Sequence, residues 1–406
     1  MIKTGVDVVE IQRFAEMKNL DAFVKRVFTK EERAYFGRKK NPCESIAGHY
    51  AAKEAFSKYM GTGMRGFAWR DIEVDHDALG KPYLKFLGHR AAVDLSMTHS
   101  KTVAVAVVCG EENAMGASNA DHIKEYRALL PKRHTDMHKG DCGRVFVVAG
   151  SKGMTGAAAL SAEAALRSGS GLVTVGTPES EQPVLAVKLT EATTLPLPGE
   201  NGLLAPGASV QIIKQMEHSD VCVLGPGLGK APELWQTMKQ LLQQGKPLLL
   251  DADGLNALAE HIEILEHVCA EVVLTPHPGE MARLCGLSVQ EIQANREAVA
   301  AEFAKRWGVT LLLKGKETVI ASPRGEIHRN PTGNHGMATG GMGDVLSGVI
   351  GSLLGQGVNG YHAAVLGAFL HGLAGDIAAR ELGEFGMIAG DVLRRLPHAF
   401  LAVQKP

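Results

Sequence analysis

The 406-residue chain carries almost no net charge: 43 Lys and Arg against 44 Asp and Glu leave −1 at pH 7. No global field therefore draws it to nucleic acid or to an anionic membrane, and an acidic partner must be met by a local basic patch. Cysteine is scarce and scattered. The six, Cys43, Cys109, Cys142, Cys222, Cys269 and Cys285, form no C-x-x-C pair, which argues for reduced thiols rather than a disulfide framework. No uninterrupted apolar run reaches the roughly 18 residues of a spanning helix. The start, MIKTGVDVVEIQRF, has no basic segment followed by an apolar one, so no signal peptide is expected and the location expected is the cytoplasm, off the membrane. Repeats and low-complexity tracts are missing. So are two phosphate signatures: G-x-x-x-x-G-K-[ST] does not occur, and a G-x-G-x-x-G reading from Gly225 fails at Lys230.

What is present is a balance of 45% apolar and 21% charged residues, that of a globular protein with real cores. The length suggests two or three domains. Two halves differ in grammar. The first is dense in charge and aromatics, and reads as strand, helices, then strands: TGVDVVEI, DAFVKRVFTKEERAYF, SIAGHYAAKEAFSKYM, DIEVDHD, PYLKFL, TVAVAVVC. GEENAMGASNAD then has the small, polar composition of a linker, and HIKEYRALLPKR looks helical. Beyond it, the strands RVFVVAG, GLVTVGTP, DVCVLGPG, KPLLLDAD, EVVLTPHPG and VTLLLKG alternate with helical stretches. That alternation predicts a mostly parallel sheet covered by helices, with ligands beyond the carboxyl ends of its strands. The expected division is 1–112, a linker at 113–121, and 122–406.

Phosphate binding in the second half rests on GNHGMATGGMGD, Gly333 to Asp344, which runs into the apolar VLSGVIGSLLGQG. Gly340, Gly341 and Gly343 before a helix read as an anion cradle. Asp344 is either a helix-capping acid or a general base taking a proton from a hydroxyl that attacks phosphorus. Glu280 in TPHPGE is open between a first-turn helix acid and a metal contact. His134, His138 and Cys142 share a four-residue spacing, but Pro131 and Gly140 oppose a continuous helix, so a metal face there is disfavoured.

In the first half Asp7 sits among Val6, Val8, Val9 and Ile11. The strand has no clean polar face, which predicts cover on both sides and makes a carboxylate there costly unless paired or ligated. Glu54 lies at the margin of an apolar stripe of Ala52, Ala55, Phe56 and Tyr59, spaced to pair with Lys58. Together, Asp7 and Glu54 suit Mg²⁺ bound with substrate phosphates.

Two resemblances follow. HKGDCGRVFVVAGSKGMTGAAALSAEAALRSGSGLVTV, GPGLG, DADGLNAL, TPHPGEMARL, LLKGKETVI and NPTGNHGMATGGMGDVLSGVIGSLL resemble the ADP- or ATP-dependent NAD(P)H-hydrate dehydratases of the ribokinase-like superfamily, from about Asp121 onward. The resemblance implies repair: a hydroxyl on hydrated NADH or NADPH is phosphorylated from a nucleotide, and phosphate then leaves. It implies Asp344 as base, and Ala157, Gly227 and His277 around the hydrate. The nucleotide falls to Lys314, Gly315, Lys316, Glu317, Thr318 and Asn334 through Gly343, with Gly340 and Gly341 in the cradle, and Glu280 would hold Mg²⁺ through water. GVDVVEIQRF, RVFTKEE, AGHYAAKEAFSK, GTG, DIEV, GKP and SMTHSKTVAVAVV resemble the holo-acyl-carrier-protein synthases over nearly all of residues 1–110. That implies an α+β domain ahead of the α/β one, moving phosphopantetheine from coenzyme A to a serine of acyl carrier protein. Asp7 and Glu54 match its Mg²⁺ ligands, and Lys53, Ser57, Lys81 and His99 match positions near the coenzyme.

Carrier proteins are acidic, and Arg13, Lys18, Lys25 and Arg26 offer a complementary patch. His49 departs from the arginine common in that family, which predicts weaker coenzyme or carrier binding. The resemblances imply a homo-oligomer, trimer-based or larger, closing as a dodecamer if threefold and twofold contacts combine. Two rival readings stand: a sugar or vitamin kinase in the second half, and a non-catalytic binding or oligomerisation module in the first.

Overall fold

The computed structural model describes residues 2–61, 68–77, 79–86, 89–91, 93–111, 117–231 and 233–404. Most of the GTG stretch and the 113–116 part of the expected linker lie outside them. The chain divides into two compact units, Met1–Glu125 and Tyr126–Pro406.

In the first unit β1 (Ile2–Glu10) leads to α1 (Gln12–Ala15), α2 (Leu20–Val27), α3 (Lys30–Phe36) and the long α4 (Pro42–Met60). Then come β2 (Ile72–His76), β3 (Pro82–Phe86), β4 (His89–Arg90), β5 (Asp94–His99) and β6 (Val103–Glu111). DAFVKRVFTKEERAYF, continuous in pattern, breaks between α2 and α3 because Thr29 starts a helix of its own. The Thr29 hydroxyl accepts from the Glu32 N–H at 3.3 Å, and the Glu32 carboxylate accepts from the Thr29 N–H at 2.9 Å, a reciprocal cap.

The strands form two antiparallel sheets, β1-β6-β5 and β2-β3-β4. Helix α4 lies on the first, burying Ala47, Ala51, Ala52, Ala55, Phe56 and Tyr59. Gly5 permits the approach: a Cβ there would stand 2.0 Å from the Ala55 carbonyl oxygen and 2.5 Å from the Tyr59 nitrogen. Val9, Ala104, Ala106 and Val108 are buried, whereas Val6 is 46% and Val8 58% exposed. The expectation that β1 is covered on both sides is therefore corrected. Apolar residues occupy both faces, Gly5 and Val9 inward and Val6 and Val8 outward, so polarity alone hid the strand's alternation.

Helix α5 (Ala117–Leu129) begins inside the segment expected as linker. Its last turn belongs to the second unit. Tyr126 stacks on Phe369 with ring centroids 3.7 Å apart, its hydroxyl lies 3.0 Å from His328 Nε2, and Arg127 Nε donates to the Val403 carbonyl at 2.8 Å.

The second unit then runs β7 (Arg144–Val148), α6 (Thr155–Arg167), β8 (Leu172–Pro178), α7 (Gln182–Lys188), β9 (Thr193–Leu197), the hairpin β10 (Gly199–Glu200) and β11 (Leu203–Leu204), and α8 (Ala208–Glu217). It continues β12 (Val221–Leu224), α9 (Leu234–Gln243), β13 (Leu248–Leu250), α10 (Asp253–Glu260), β14 (Val272–Leu274), α11 (Pro278–Cys285), α12 (Val289–Ala294) and α13 (Arg296–Trp307). Last come β15 (Thr310–Leu313), β16 (Val319–Ala321), β17 (Ile327–Arg329), α14 (Met342–Gly355), α15 (Gly360–Leu382) and α16 (Ala389–Gln404).

The nine-stranded sheet has the order β17-β16-β15-β14-β13-β12-β7-β8-β9. From β15 to β9 every pairing is parallel; β16 and β17 add an antiparallel edge. Its central strands β12, β13, β14 and β15 are buried along their length, and β7 from Val145 onward, which fits cover on both faces. Among the described residues one helix, α15, is long and apolar enough to cross a membrane, but 72% of its apolar window is buried in the fold, marking it as a core helix.

Candidate active sites

In the second unit the chain winds outward from β7 through β8 to β9, then returns to β12 on the other side of β7. The carboxyl ends of β7 and β12 part at this switch point, where open parallel sheets bind ligands. Two glycine turns meet there. The Gly150 N–H donates to the Pro226 carbonyl at 2.9 Å and the Ser151 hydroxyl to the Gly227 carbonyl at 2.8 Å. A Cβ on Gly227 would stand 2.9 Å from the Ala157 Cβ. Ala157 and Gly227, both expected at the hydrate, are therefore neighbours.

Helix α14 starts at the glycine cluster. Gly341 is its N-cap with φ +90°, and Asp344, its third residue, makes no capping hydrogen bond. The helix-capping reading of Asp344 is therefore set aside. The first-turn N–H groups have no acceptor within the helix and aim with its dipole toward an anion. Around Gly340 the space is open to 4 Å. Asn334, expected at the nucleotide, also shapes the loop: its amide donates to Asp376 at 2.9 Å and its oxygen accepts from the Gly336 N–H at 3.0 Å. Close packing fixes the height of Asp344. The Ser161 hydroxyl donates to the Asp344 carbonyl at 2.9 Å, and a Cβ on Gly348 would sit 2.1 Å from the Ser161 carbonyl oxygen, so α6 and α14 touch backbone to backbone.

Charge converges on this spot. Lys314 Nζ lies 2.7 Å from Asp251 Oδ1 and 3.7 Å from Glu280 Oε2, and the Ser347 hydroxyl donates to Asp251 Oδ2 at 2.7 Å. Burial, then the neighbouring Asp251 charge, pushes the Asp344 carboxyl up to about 6, against the pull of Lys314. Burial alone would lower the Lys314 pKa, but Asp251, Glu280 and Asp344 outweigh it and the ammonium is held above its ordinary value. A carboxylate with a pKa near neutrality, beside a phosphate cradle, has the proton affinity of a general base.

The Lys314–Thr318 turn borders the cradle: a Cβ on Gly343 would stand 3.4 Å from Lys314 Nζ. Gly315 has φ +149° and Glu317 φ +51°, and the Thr318 hydroxyl donates to the Gly315 carbonyl at 3.0 Å. Lys316 and Glu317 are exposed. His277 caps α11, accepting at Nδ1 from the Gly279 N–H at 2.9 Å, while Glu280 accepts from the His277 N–H at 2.8 Å. Glu280 is thus a helix-start acid that also faces Lys314. Such a set suits Mg²⁺ arriving hydrated on nucleotide phosphates. No group of three or more metal-ligating side chains exists among the described residues, and His134, His138 and Cys142 lie outside any helix.

Asp251, Asp253 and Ser347 escaped the sequence reading. DADG was visible as a polar turn at a strand end, but its roles depend on partners far along the chain. Asp253 accepts from the Gly229 N–H at 2.8 Å, and Ala252 between the two aspartates has φ +49°, strain of the kind found at functional turns.

In the first unit Asp7 on β1 meets Lys58 of α4 at 2.8 Å, and Lys58 also donates to the Val6 carbonyl at 3.1 Å. Glu54 accepts from the Tyr50 hydroxyl at 3.1 Å. Burial first, then Glu54 and, less, Asp7 push the Tyr50 pKa up to about 12, so both carboxylates act in one neighbourhood. This donor set fits a divalent ion, with Lys58 yielding Asp7 to it. Lys81 and His99 are exposed, Lys81 beside Asp94 at 3.6 Å.

Two residues expected near the coenzyme are corrected. Lys53 is fully buried, paired with Glu32 at 2.8 Å and donating to the carbonyls of Val27, Trp69 and Ile72. Ser57 is 2% exposed and donates to the Glu54 carbonyl at 2.9 Å. Both face the core, so neither reaches a coenzyme from this unit's surface. His49 also lies inside, its Nδ1 2.9 Å from the Ser45 carbonyl, and burial, then His76, pushes its pKa down to about 3. The position that departs from the family's arginine is therefore buried in this unit. Arg13, Lys18, Lys25 and Arg26 are all exposed.

Comparisons with known proteins agree with this division. Residues 145–398 match the family model described as NAD(P)H-hydrate dehydratase, and residues 3–110 match that of the 4′-phosphopantetheinyl transferase superfamily. A bifunctional NAD(P)H-hydrate repair enzyme of Moorella thermoacetica is 48% identical over 67% of this chain and 52% of its own length. The ADP-dependent (S)-NAD(P)H-hydrate dehydratase of Neisseria meningitidis is 38% identical over 65% of this chain and 87% of its own. The crystal structure of the ADP/ATP-dependent dehydratase of Bacillus subtilis, co-crystallised with ATP and Mg²⁺, is 32% identical over 69% of this chain and 97% of that one, with a TM-score of 0.60. The chain spans about half the length of the bifunctional relative.

Proposed function

The chain belongs to the NAD(P)H-hydrate dehydratase family, and from that premise we propose that its second unit restores NADH or NADPH from (6S)-NAD(P)HX, with ADP or ATP as phosphoryl donor. The observation that carries the reading is Asp344, half-buried in the first turn of α14 with its carboxyl pushed up to about 6. Asp344 takes the proton of the ring hydroxyl as that oxygen attacks the terminal phosphorus. The oxygen–phosphorus bond forms, and the bond to the departing nucleotide breaks. Phosphate then leaves the ring, a ring proton is lost, and the double bond returns. Ala157, Gly227 and His277 hold the hydrate. The Gly340–Gly343 cradle and the Lys314–Thr318 turn hold the nucleotide, and Lys314 keeps a positive charge beside its phosphates. Mg²⁺ carried by the nucleotide would neutralise phosphoryl charge, with Glu280 turned toward its water shell.

The test is incubation of the protein with NADHX, Mg²⁺ and either nucleotide while following NADH absorbance. Its return supports the reading; phosphorylated product accumulating without it makes the unit a small-molecule kinase.

The first unit transfers 4′-phosphopantetheine from coenzyme A to a serine of acyl carrier protein, the reading supported by its family match. Asp7 and Glu54 would hold Mg²⁺ on the pyrophosphate, and Lys81 and His99 lie where the coenzyme can reach them. Arg13, Lys18, Lys25 and Arg26 would receive the acidic carrier. Exposed Val6 and Val8 support self-association into a trimer-based or larger oligomer, and the cytoplasm is the location that suits both substrates. A carrier protein gaining the phosphopantetheine mass on its serine, with Mg²⁺ and coenzyme A present, supports the transferase; no gain makes the unit a binding module. Light scattering that reads a monomer or plain dimer counts against the oligomer.

A further inference from the structure

Arg296, the first residue of α13, has no place in the reading so far. Its Nη2 donates to the Leu313 carbonyl at 2.9 Å, and both terminal nitrogens lie close to the Lys314 carbonyl, at 3.4 and 3.5 Å. These are the last carbonyl of β15 and the first of the Lys314–Thr318 turn. Nη1 also donates to the Gln293 side chain at 3.1 Å, whereas Nε is buried without a partner. A buried N–H left unmatched is unfavourable, and its retention calls for a reason.

Gly315 supplies one. A Cβ at that position would stand 2.6 Å from Arg296 Nη1 and 3.1 Å from Nη2. With φ +149° at Gly315, the backbone passes close against the terminal nitrogens of the guanidinium in a path that a side chain would block. One planar fork thus grips the strand end and shapes the turn. The same strand end carries Lys314, whose ammonium reaches Asp251 at 2.7 Å. A lysine there would lack the planar fork that puts two terminal nitrogens against the two carbonyls in one fixed arrangement.

We propose that Arg296 is a positioning residue for the nucleoside di- or triphosphate, acting through the carbonyls of Leu313 and Lys314 to set the Lys314–Thr318 turn and the Lys314 ammonium against the phosphate cradle. It touches no ligand itself. The inference rests on the reading of that turn as nucleotide-binding, so wild-type turnover is measured first. If wild type fails to restore NADH, that reading falls before Arg296 is tested.

With wild type active, Arg296→Met is compared with Arg296→Lys in steady-state dehydration at varied nucleotide and varied hydrate, alongside thermal melting. The expected result is a nucleotide KM raised about tenfold in Arg296→Met, less in Arg296→Lys, with the hydrate KM within about twofold of wild type. A nucleotide KM unchanged in folded protein overturns the proposal. Both KM values rising together, equally in the two variants, also overturns it, since that is what loosened packing alone produces. If Arg296→Met does not fold, Arg296→Lys decides: a selective rise in nucleotide KM supports the assignment and no rise removes it.

Discussion

In the first unit the carboxylate of Asp7 is met at 2.8 Å by Lys58, whose side chain is 54% exposed. In the second, Asp344 lies close to Lys314, but that ammonium is bonded to Asp251, and the Asp251 charge together with burial raises the Asp344 pKa to about 6. The two acids sit at the edges of two proposed phosphate sites and are prepared for different work. A metal ligand must be charged at every working pH and able to exchange a weak surface partner for an ion. A base must want a proton, so the protein keeps the nearest cation occupied elsewhere. The contrast is one of partners: Asp7 holds its own lysine, whereas the lysine near Asp344 is held by Asp251.

The sharpest way to break this comparison is to remove each acid in turn. Asp344→Asn should lower dehydration by about a thousandfold while nucleotide binding persists; near-normal turnover would remove it as base. Glu54→Gln should abolish carrier modification and leave NADH recovery within about twofold. Loss of both activities from either change would mean the units are coupled.

Next in size is Lys53→Met, which leaves the buried Glu32 without its cation and should cost about 3–5 kcal/mol. Chemical denaturation should show it in the first unit only. A variant of wild-type stability with a raised KM for coenzyme A would instead return Lys53 to the coenzyme site.

The pH dependence sharpens the tuning argument. Below about pH 6 Asp344 takes up its proton, so kcat/KM for the hydrate should fall about tenfold per unit of pH. Asp251→Asn removes a charge that raises the Asp344 pKa and frees Lys314 to lower it. The acid limb should then move to lower pH by about one unit; a limb that stays in place would mean another group is titrating.

The smallest effect is on stability. The folded pKa of Asp344 lies above its unfolded value, so the folded state binds this proton more tightly. The stability that proton confers is complete below about pH 4 and gone above about pH 6. Asp344→Asn, which cannot ionise, should therefore melt a few degrees above wild type at pH 8 and level with it at pH 4. A loss of stability at pH 8 would contradict the buried-charge picture.

Much of the second unit was legible. The strands β7, β8, β12, β13, β14 and β15 all fall inside the apolar runs read from the sequence, because buried parallel strands need continuous apolar residues. β9 was not, since TTLPL carries a proline and is half-exposed at the sheet edge, and β16 and β17 are only three residues each. The glycine cluster and Asp344 at the start of α14 were legible as one group because they are contiguous in sequence. Asp251 and Ser347 were not, because 96 positions separate the two partners of their hydrogen bond. In α4 the error was one of direction. His49, Lys53 and Ser57 recur every four residues and so share one face of the helix. The fold turns that face inward, where each side chain is buried among the core residues of the first unit.

The stacking of Tyr126 on Phe369 bears on where this protein can be cut. By composition the seam between the halves is the small, polar stretch ending at Asp121, and by strand pattern the dehydratase fold opens at Arg144. A fragment starting at Arg144 would uncover Phe369 and leave the Val403 carbonyl without its arginine. The last turn of α5 is therefore cargo of the second unit rather than spare tether, and a clean separation of the two units has to be made upstream of it.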